Sequence, residues 1–182
     1  MAIAAPRDVL DYWFSKDPAS WFQVDPDRDA EVRRRFGETH KAAMAGELDE
    51  WAREPQGALA LVLVLDQMSR NIHRGTPRAF AGDARALAVT EAAVGRHFDV
   101  QLPEAARRWL YMPYMHSEVR AVQERGLSFF LQRLEDAETQ FHARQHADII
   151  RRFGRFPHRN AILGRRSSEA EESFLADGGF AG

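Results

Sequence analysis

Only one stretch of this chain competes for a β-strand, and nothing else in the sequence could pair with it. Ala58 to Leu65 is an unbroken apolar run with two valines, the length and composition of a buried strand. No second run of comparable strength occurs, and a lone strand leaves its backbone donors and acceptors unmatched. Pro55 suits the first turn of a helix. The run therefore reads as a central helix that is hydrophobic all round.

The remaining punctuation is helical as well. Val9, Leu10, Trp13 and Phe14 follow Pro6 and predict a first helix over 6–15. Asp25 before Pro26 is an N-cap signal for a second helix, whose stripe of Val32, Phe36, His40, Ala43 and Met44 runs to Gly46. Asp83 is expected to cap a helix ending near Gly95. Pro103 opens another, which Pro113 should kink or end. Val119, Val122, Leu127, Phe130, Leu131 and Leu134 describe a longer helix with Gly126 as a weak point. Phe141, Ala147, Ile149, Ile150 and Phe153 describe the next. Ser168 with Glu171 forms a capping box for a last helix through Leu175, and the glycine-rich tail after Asp177 should fray. No linker, low-complexity tract or fixed-period repeat divides the chain. The expectation is one all-α domain over 1–182 with about eight to ten helices.

Composition narrows the function classes. The net charge of −2 gives no bulk reason to bind nucleic acid or membrane. There is no cysteine, which excludes disulfides, thiolate metal sites and cysteine nucleophiles. The apolar run is far shorter than the roughly 20 residues that span a bilayer. The N-terminus lacks a basic start followed by a sustained apolar core, so the chain reads as cytoplasmic. Its basic residues are nearly all arginine, with Lys16 and Lys41 the two lysines.

Three polar blocks carry the chemistry. Phe153 to Arg165 sets Arg155, His158, Arg159 and Asn160 around Pro157, between Gly154 and Gly164, with Arg165 directly after. The glycines stop helices and the proline restarts one, so one short turn should project fixed donors. Arginine keeps its charge and offers a rigid fork for carboxylate or phosphate. Asp66 to Pro77 holds Arg70, Asn71, His73 and Arg74 at the end of the apolar helix. Tyr111 to Glu118 contains Pro113, His116 and Ser117. There His116 is a candidate acid–base group, and Ser117 reads better as an N-cap than as a nucleophile. His142 and His146 have the i, i+4 spacing of a metal pair, but residue 143 is alanine where a zinc protease has glutamate. A solvated or hydrogen-bonded helix face is the default there. No phosphate loop, dinucleotide fingerprint or EF-hand pattern occurs, so neither a metal nor a cofactor is expected.

These blocks resemble the signature segments of the bacterial domain-of-unknown-function family 924. The matching stretches are Asp66 to Phe80, Tyr111 to Glu118 and Arg152 to Arg165, with Val9 to Phe14 and Trp21-Phe22 matching its opening. Met68-Ser69 and Ser168-Glu169 depart from its pattern, where Phe-Pro and Thr-Pro would stand. The resemblance implies an all-α fold grouped with tetratricopeptide-like helical superhelices, and it implies no activity.

Three functional readings follow. In the first, Arg70, Arg74, Arg155 and Arg159 bind a small anion, Asn71 and Asn160 orient it, and His116 or His158 moves protons. That site fits an acid–base or hydrolytic enzyme and equally a binding protein. In the second, the arginines pair with Asp66, Asp83, Glu118, Asp148 or the acidic residues after Arg166 as a structural network. In the third, a tetratricopeptide-like groove holds an acidic peptide or a chain terminus. Trp21 or Trp51, if exposed, would mark a homodimer contact.

Overall fold

The structure is a computed structural model that describes residues 2–17, 21 and 23–180. The described residues contain no strand. They fall into two compact units. The N-terminal unit takes the residues up to Arg74 with Arg78–Pro113, and the C-terminal unit takes Gly75–Pro77 with those from Tyr114 onward. The second crossing lies inside a helix, so no change of composition marks it.

The N-terminal unit holds α1 (Pro6–Phe14), α2 (Pro26–Ala45), α3 (Pro55–Val62), α4 (Ser69–Ile72), α5 (Asp83–Gly95) and most of α6 (Glu104–His116). Its core is the apolar run, which is helical as expected. Ala58 through Leu65 are buried, and a π-turn over Leu63–Met68 joins α3 to α4 without a break. Asp25 caps α2 by accepting from the N–H groups of Asp27 (3.0 Å) and Arg28 (3.1 Å), and Gly46 closes that helix at φ 87°. Trp21 is half-buried, with its ring edge-on to Trp109 at 4.8 Å and its Nε1 donating to the Trp13 carbonyl. Trp51 is also half-buried. Of the two tryptophans named as dimer candidates, Trp21 thus packs on its own chain. Phe22, part of the opening resemblance, lies outside the described residues.

The C-terminal unit holds the end of α6, then α7 (Arg120–Arg133), α8 (Ala137–Phe153) and α9 (Glu169–Ala176). Four local expectations differ from what is seen here and in the other unit. Helix α6 runs through Pro113 to His116, although the proline forfeits one backbone bond. Burial of Tyr111, Met112, Tyr114 and Met115 outweighs that loss. Asp83 is the first residue of α5 rather than its cap, because its carboxylate turns to Arg70 at 3.1 Å. Ser117 accepts from Val119 N–H (3.2 Å) before α7 begins, and Val119 is the N-cap. The tail does not fray over Gly178–Phe180. Gly178 takes φ 80°, Gly179 N–H donates to the Phe174 carbonyl (2.9 Å), and Phe180 packs on the local core. Residues 181–182 of that tail lie outside the described residues. The capping box of α9 forms as expected, with Ser168 Oγ accepting from Glu171 N–H and the Glu171 carboxylate from Ser168 N–H.

Candidate functional site

The block from Phe153 to Arg165 folds as a tied loop. Gly154 ends α8 at φ 71°, and the 3-10 turn Pro157–Arg159 follows. Gly164, at φ 66°, lets Arg165 N–H return to the Asn160 carbonyl at 2.8 Å. Glycine tolerates both left-handed conformations without a Cβ penalty. The loop is pinned by Phe156, which is fully buried against Ile149 and Ile150.

Glu118 closes the loop from outside. It accepts from Arg165 Nη1 (2.6 Å), Arg165 Nη2 (2.9 Å) and Phe156 N–H (2.8 Å). Burial pushes this carboxyl up, but those three donors outweigh it and hold it below the usual carboxylate range. Arg155 makes a second fork, on Glu171, at 2.6 and 2.7 Å. Chiefly through that bond, the Glu171 carboxyl is held down at about 2. Asn160 is buried, donates to Ser167 Oγ (3.1 Å) and accepts from Arg165 Nε (2.9 Å). An open cleft of about 450 Å³ lies over the Arg155–Glu171 pair and is lined also by Arg152, Phe153, Ser168 and Ala170.

Beside this framework stands a cluster of imidazoles. His116 ends α6, and its ring lies 6.4 Å from that of His146 on α8. His146 faces inward and donates from Nδ1 to the His142 carbonyl at 2.8 Å. Its place with Ala143, Ala147 and Ile150 on the apolar stripe was readable in the sequence, and the i, i+4 spacing to His142 drew attention away from it. His158 sits 5.5 Å from the Phe156 ring, and its buried Nδ1 has no hydrogen-bond partner among the described residues. Arg159 is 6% exposed, and its guanidinium lies 4.6 Å from the centroid of the Phe156 ring. Burial, then the neighbouring His116, pushes His146 down to about 3. Burial, then Arg159, pushes His158 down to about 4. Both rings are therefore neutral at neutral pH. Among the described residues no three His, Cys, Asp or Glu side chains group closely enough to hold a metal ion.

These neutral rings predict acid sensitivity. Unfolded, each histidine takes a proton near pH 6.5. Folded, His146 and His158 refuse it until about 3 and 4. Their contribution is whole above pH 6.5 and drains as pH falls toward 4, by at most about 1.4 kcal/mol per pH unit for each ring. Carboxylates stay ionised in both states above pH 5.5, so they add little slope there. Urea unfolding at pH 7.5 and 5.5 should show a stability loss that shrinks by about 1 kcal/mol in His146→Phe. An unchanged loss would mean that His146 titrates normally in the folded protein.

The other candidates lie in the N-terminal unit and are held there by carboxylates. Arg70 bridges Asp66 (3.0 Å) and Asp83 (3.1 Å), and Asp66 is fully buried. Arg74 forks onto Asp29, whose Oδ1 also accepts from Asn71 Nδ2 at 2.7 Å. Sequence reasoning missed Asp29 altogether, because it lies 42 to 45 residues from its partners.

The profile of a bacterial family of unknown function, domain-of-unknown-function family 924, matches residues 9–179. The chain belongs to that family. Its polar blocks, Asp66 to Pro77, Tyr111 to Glu118 and Phe153 to Arg165, all fall within the matched span. A solved structure, a protein of unknown function from Agrobacterium tumefaciens, is similar at 37% identity and a TM-score of 0.90. The match covers 94% of this chain and 97% of that one. No curated protein matches. No helix among the described residues is long and apolar enough to cross a membrane.

Proposed function

We propose that the C-terminal unit binds a small anion at the cluster of His158, Arg159 and His116. The carrying observation is the buried Nδ1 of His158, which lacks a partner among the described residues. Such groups are rare in folded proteins and ask for an explanation. An anion supplies one. It would take a hydrogen bond from the imidazole and charge from Arg159, inside a wall of Phe156 that weakens competition from water. Arg155 and Asn160 then act as the frame, since Glu171, Ser167 and Arg165 already occupy them. Arg70, Asn71 and Arg74 frame the N-terminal unit in the same way.

The cluster also suits proton transfer. An anion beside His158 opposes the repulsion from Arg159 and raises the ring toward its ordinary value. Binding should therefore take up a proton between pH 4 and 6.5 and tighten as pH falls. The test is thermal unfolding with acetate, inorganic phosphate and larger carboxylates at pH 7 and 5.5. Wild type should gain stability, more at pH 5.5. His158→Phe, which keeps the ring packing and removes both nitrogens, should gain none. An equal response from His158→Phe would overturn the proposal, and so would silence from wild type.

A second reading draws on the forks of Arg155 with Glu171 and of Arg165 with Glu118. In it the arginine-rich block staples a loop whose buried backbone needs partners. The two readings differ in which residues they claim, and both can hold.

A further inference from the structure

Phe180 brings an aromatic ring to the histidine cluster from outside any helix. Its centroid lies 4.6 Å from the His146 ring and 5.2 Å from the His158 ring. It packs on the core of Ile149, Ile150 and Phe156, beside Phe153 and Phe174, and stays half-buried. The approach is set by the two glycines before it. Gly178 takes φ 80°, and a Cβ on Gly179 would stand 2.4 Å from the Phe174 carbonyl oxygen. Asp177-Gly178-Gly179 thus turns the chain sharply off α9 and aims the ring back at the imidazoles. Backbone bonds of 3.3 Å to Leu175 and 2.9 Å to Phe174 hold that turn. The ring itself is held by packing alone, since phenylalanine has no polar atom to anchor it.

We propose that the slot between His146 and His158 is a ring subsite, with Phe180 as its internal occupant. The ligand is then an anion carrying a planar ring, an aryl carboxylate or aryl phosphate. Its ring takes the place of Phe180 between the two imidazoles, and its charged group meets Arg159 and His158. His146, tilted 60° to the Phe180 ring, and His158, edge-on to it at 76°, with Phe156 alongside, suit a flat ring of similar size in the same place. Phe180 then lowers the apparent affinity of ring-bearing ligands by the fraction of time it fills the slot. This inference rests on the anion site proposed above.

The test titrates wild type, Phe180→Ala and Phe180→Leu with phenylacetate and phenyl phosphate, and with acetate and inorganic phosphate for comparison. The ring-bearing pair should bind Phe180→Ala about tenfold more tightly than wild type. Acetate and phosphate should change by less than about twofold, since they do not compete for the slot. Phe180→Leu keeps apolar bulk without a ring, so it should show a smaller gain of the same sign. It serves as the reporter if the alanine variant does not fold. The ring subsite falls if the aryl ligands gain no more than acetate while acetate still binds through His158. If none of the four binds any of the three proteins, the anion site falls with it.

Discussion

Gly126→Ala should cost this protein about 2–3 kcal/mol, although alanine is the better helix former. A Cβ at position 126 would stand 2.3 Å from the Cβ of Tyr114. That contact involves the first atom of each side chain, so no rotamer change relieves it, and α7 must move away from Tyr114. Tyr114 is 2% exposed and has little room to give. The gain in helix propensity, about 1 kcal/mol, is the smaller effect. Gly37→Ala in α2 is the matched control, because nothing lies within 4 Å of its new Cβ. There the same substitution should stabilise by about 0.5–1 kcal/mol. Urea unfolding of the two variants should give opposite signs. A Gly126→Ala protein as stable as wild type would mean that α7 does not pack so closely on Tyr114.

The same glycine marks where the sequence stops being readable. As a pattern it is a weak point in a helix, and packing turns it into a requirement. Asp25, Gly46, Gly154 and the Ser168–Glu171 box were legible because each acts within a few residues of itself, through caps that composition displays. The central helix was legible for a different reason, since no partner strand existed for it. Pro113 and Asp83 misled because tertiary partners decided them: burial carries α6 past the proline, and Arg70 takes the aspartate. At the candidate site the basic residues were visible, and their roles depended on carboxylates far away in sequence. Asp29 is 45 residues from Arg74, and Glu118 is 47 from Arg165. Nothing in the spacing of the arginines could show which of them fork onto a carboxylate or that Arg159 also lies over the Phe156 ring. Phe180 was hidden for a plainer reason. Two glycines before it read as slack chain, yet they build the turn that delivers its ring.

Glu118→Ala is expected to destabilise the protein by about 3 kcal/mol, and its outcome bears on both readings of the arginine-rich block. The carboxylate accepts three bonds, two from Arg165 and one from the Phe156 N–H. Breaking a fully buried ion pair from one side costs about 3–5 kcal/mol, because the remaining charge is stranded. Glu118 and Arg165 are 28% and 24% exposed, which places this pair at or below the low end. Arg165 would keep Asn160 Oδ1 and the Phe156 carbonyl, which softens the loss further. The Phe156 N–H has no such second partner in the loop, and an orphaned buried donor costs about 1–3 kcal/mol on its own. Glu118→Gln keeps an acceptor for that N–H and loses the charge, so it should recover about half of the stability. If Glu118→Ala unfolds at the wild-type urea midpoint, the fork is ornamental and the structural reading of Arg165 fails. The gap between the alanine and glutamine variants measures how much of the loop is held by charge and how much by backbone satisfaction. Glu118 has no hydrogen bond to His158 or ring contact with Phe180, and losing its charge, which raises the His158 imidazole, leaves the site more positive. A folded Glu118→Gln protein should therefore still bind acetate, and a loss of binding there would show that the imidazoles are positioned by the fork.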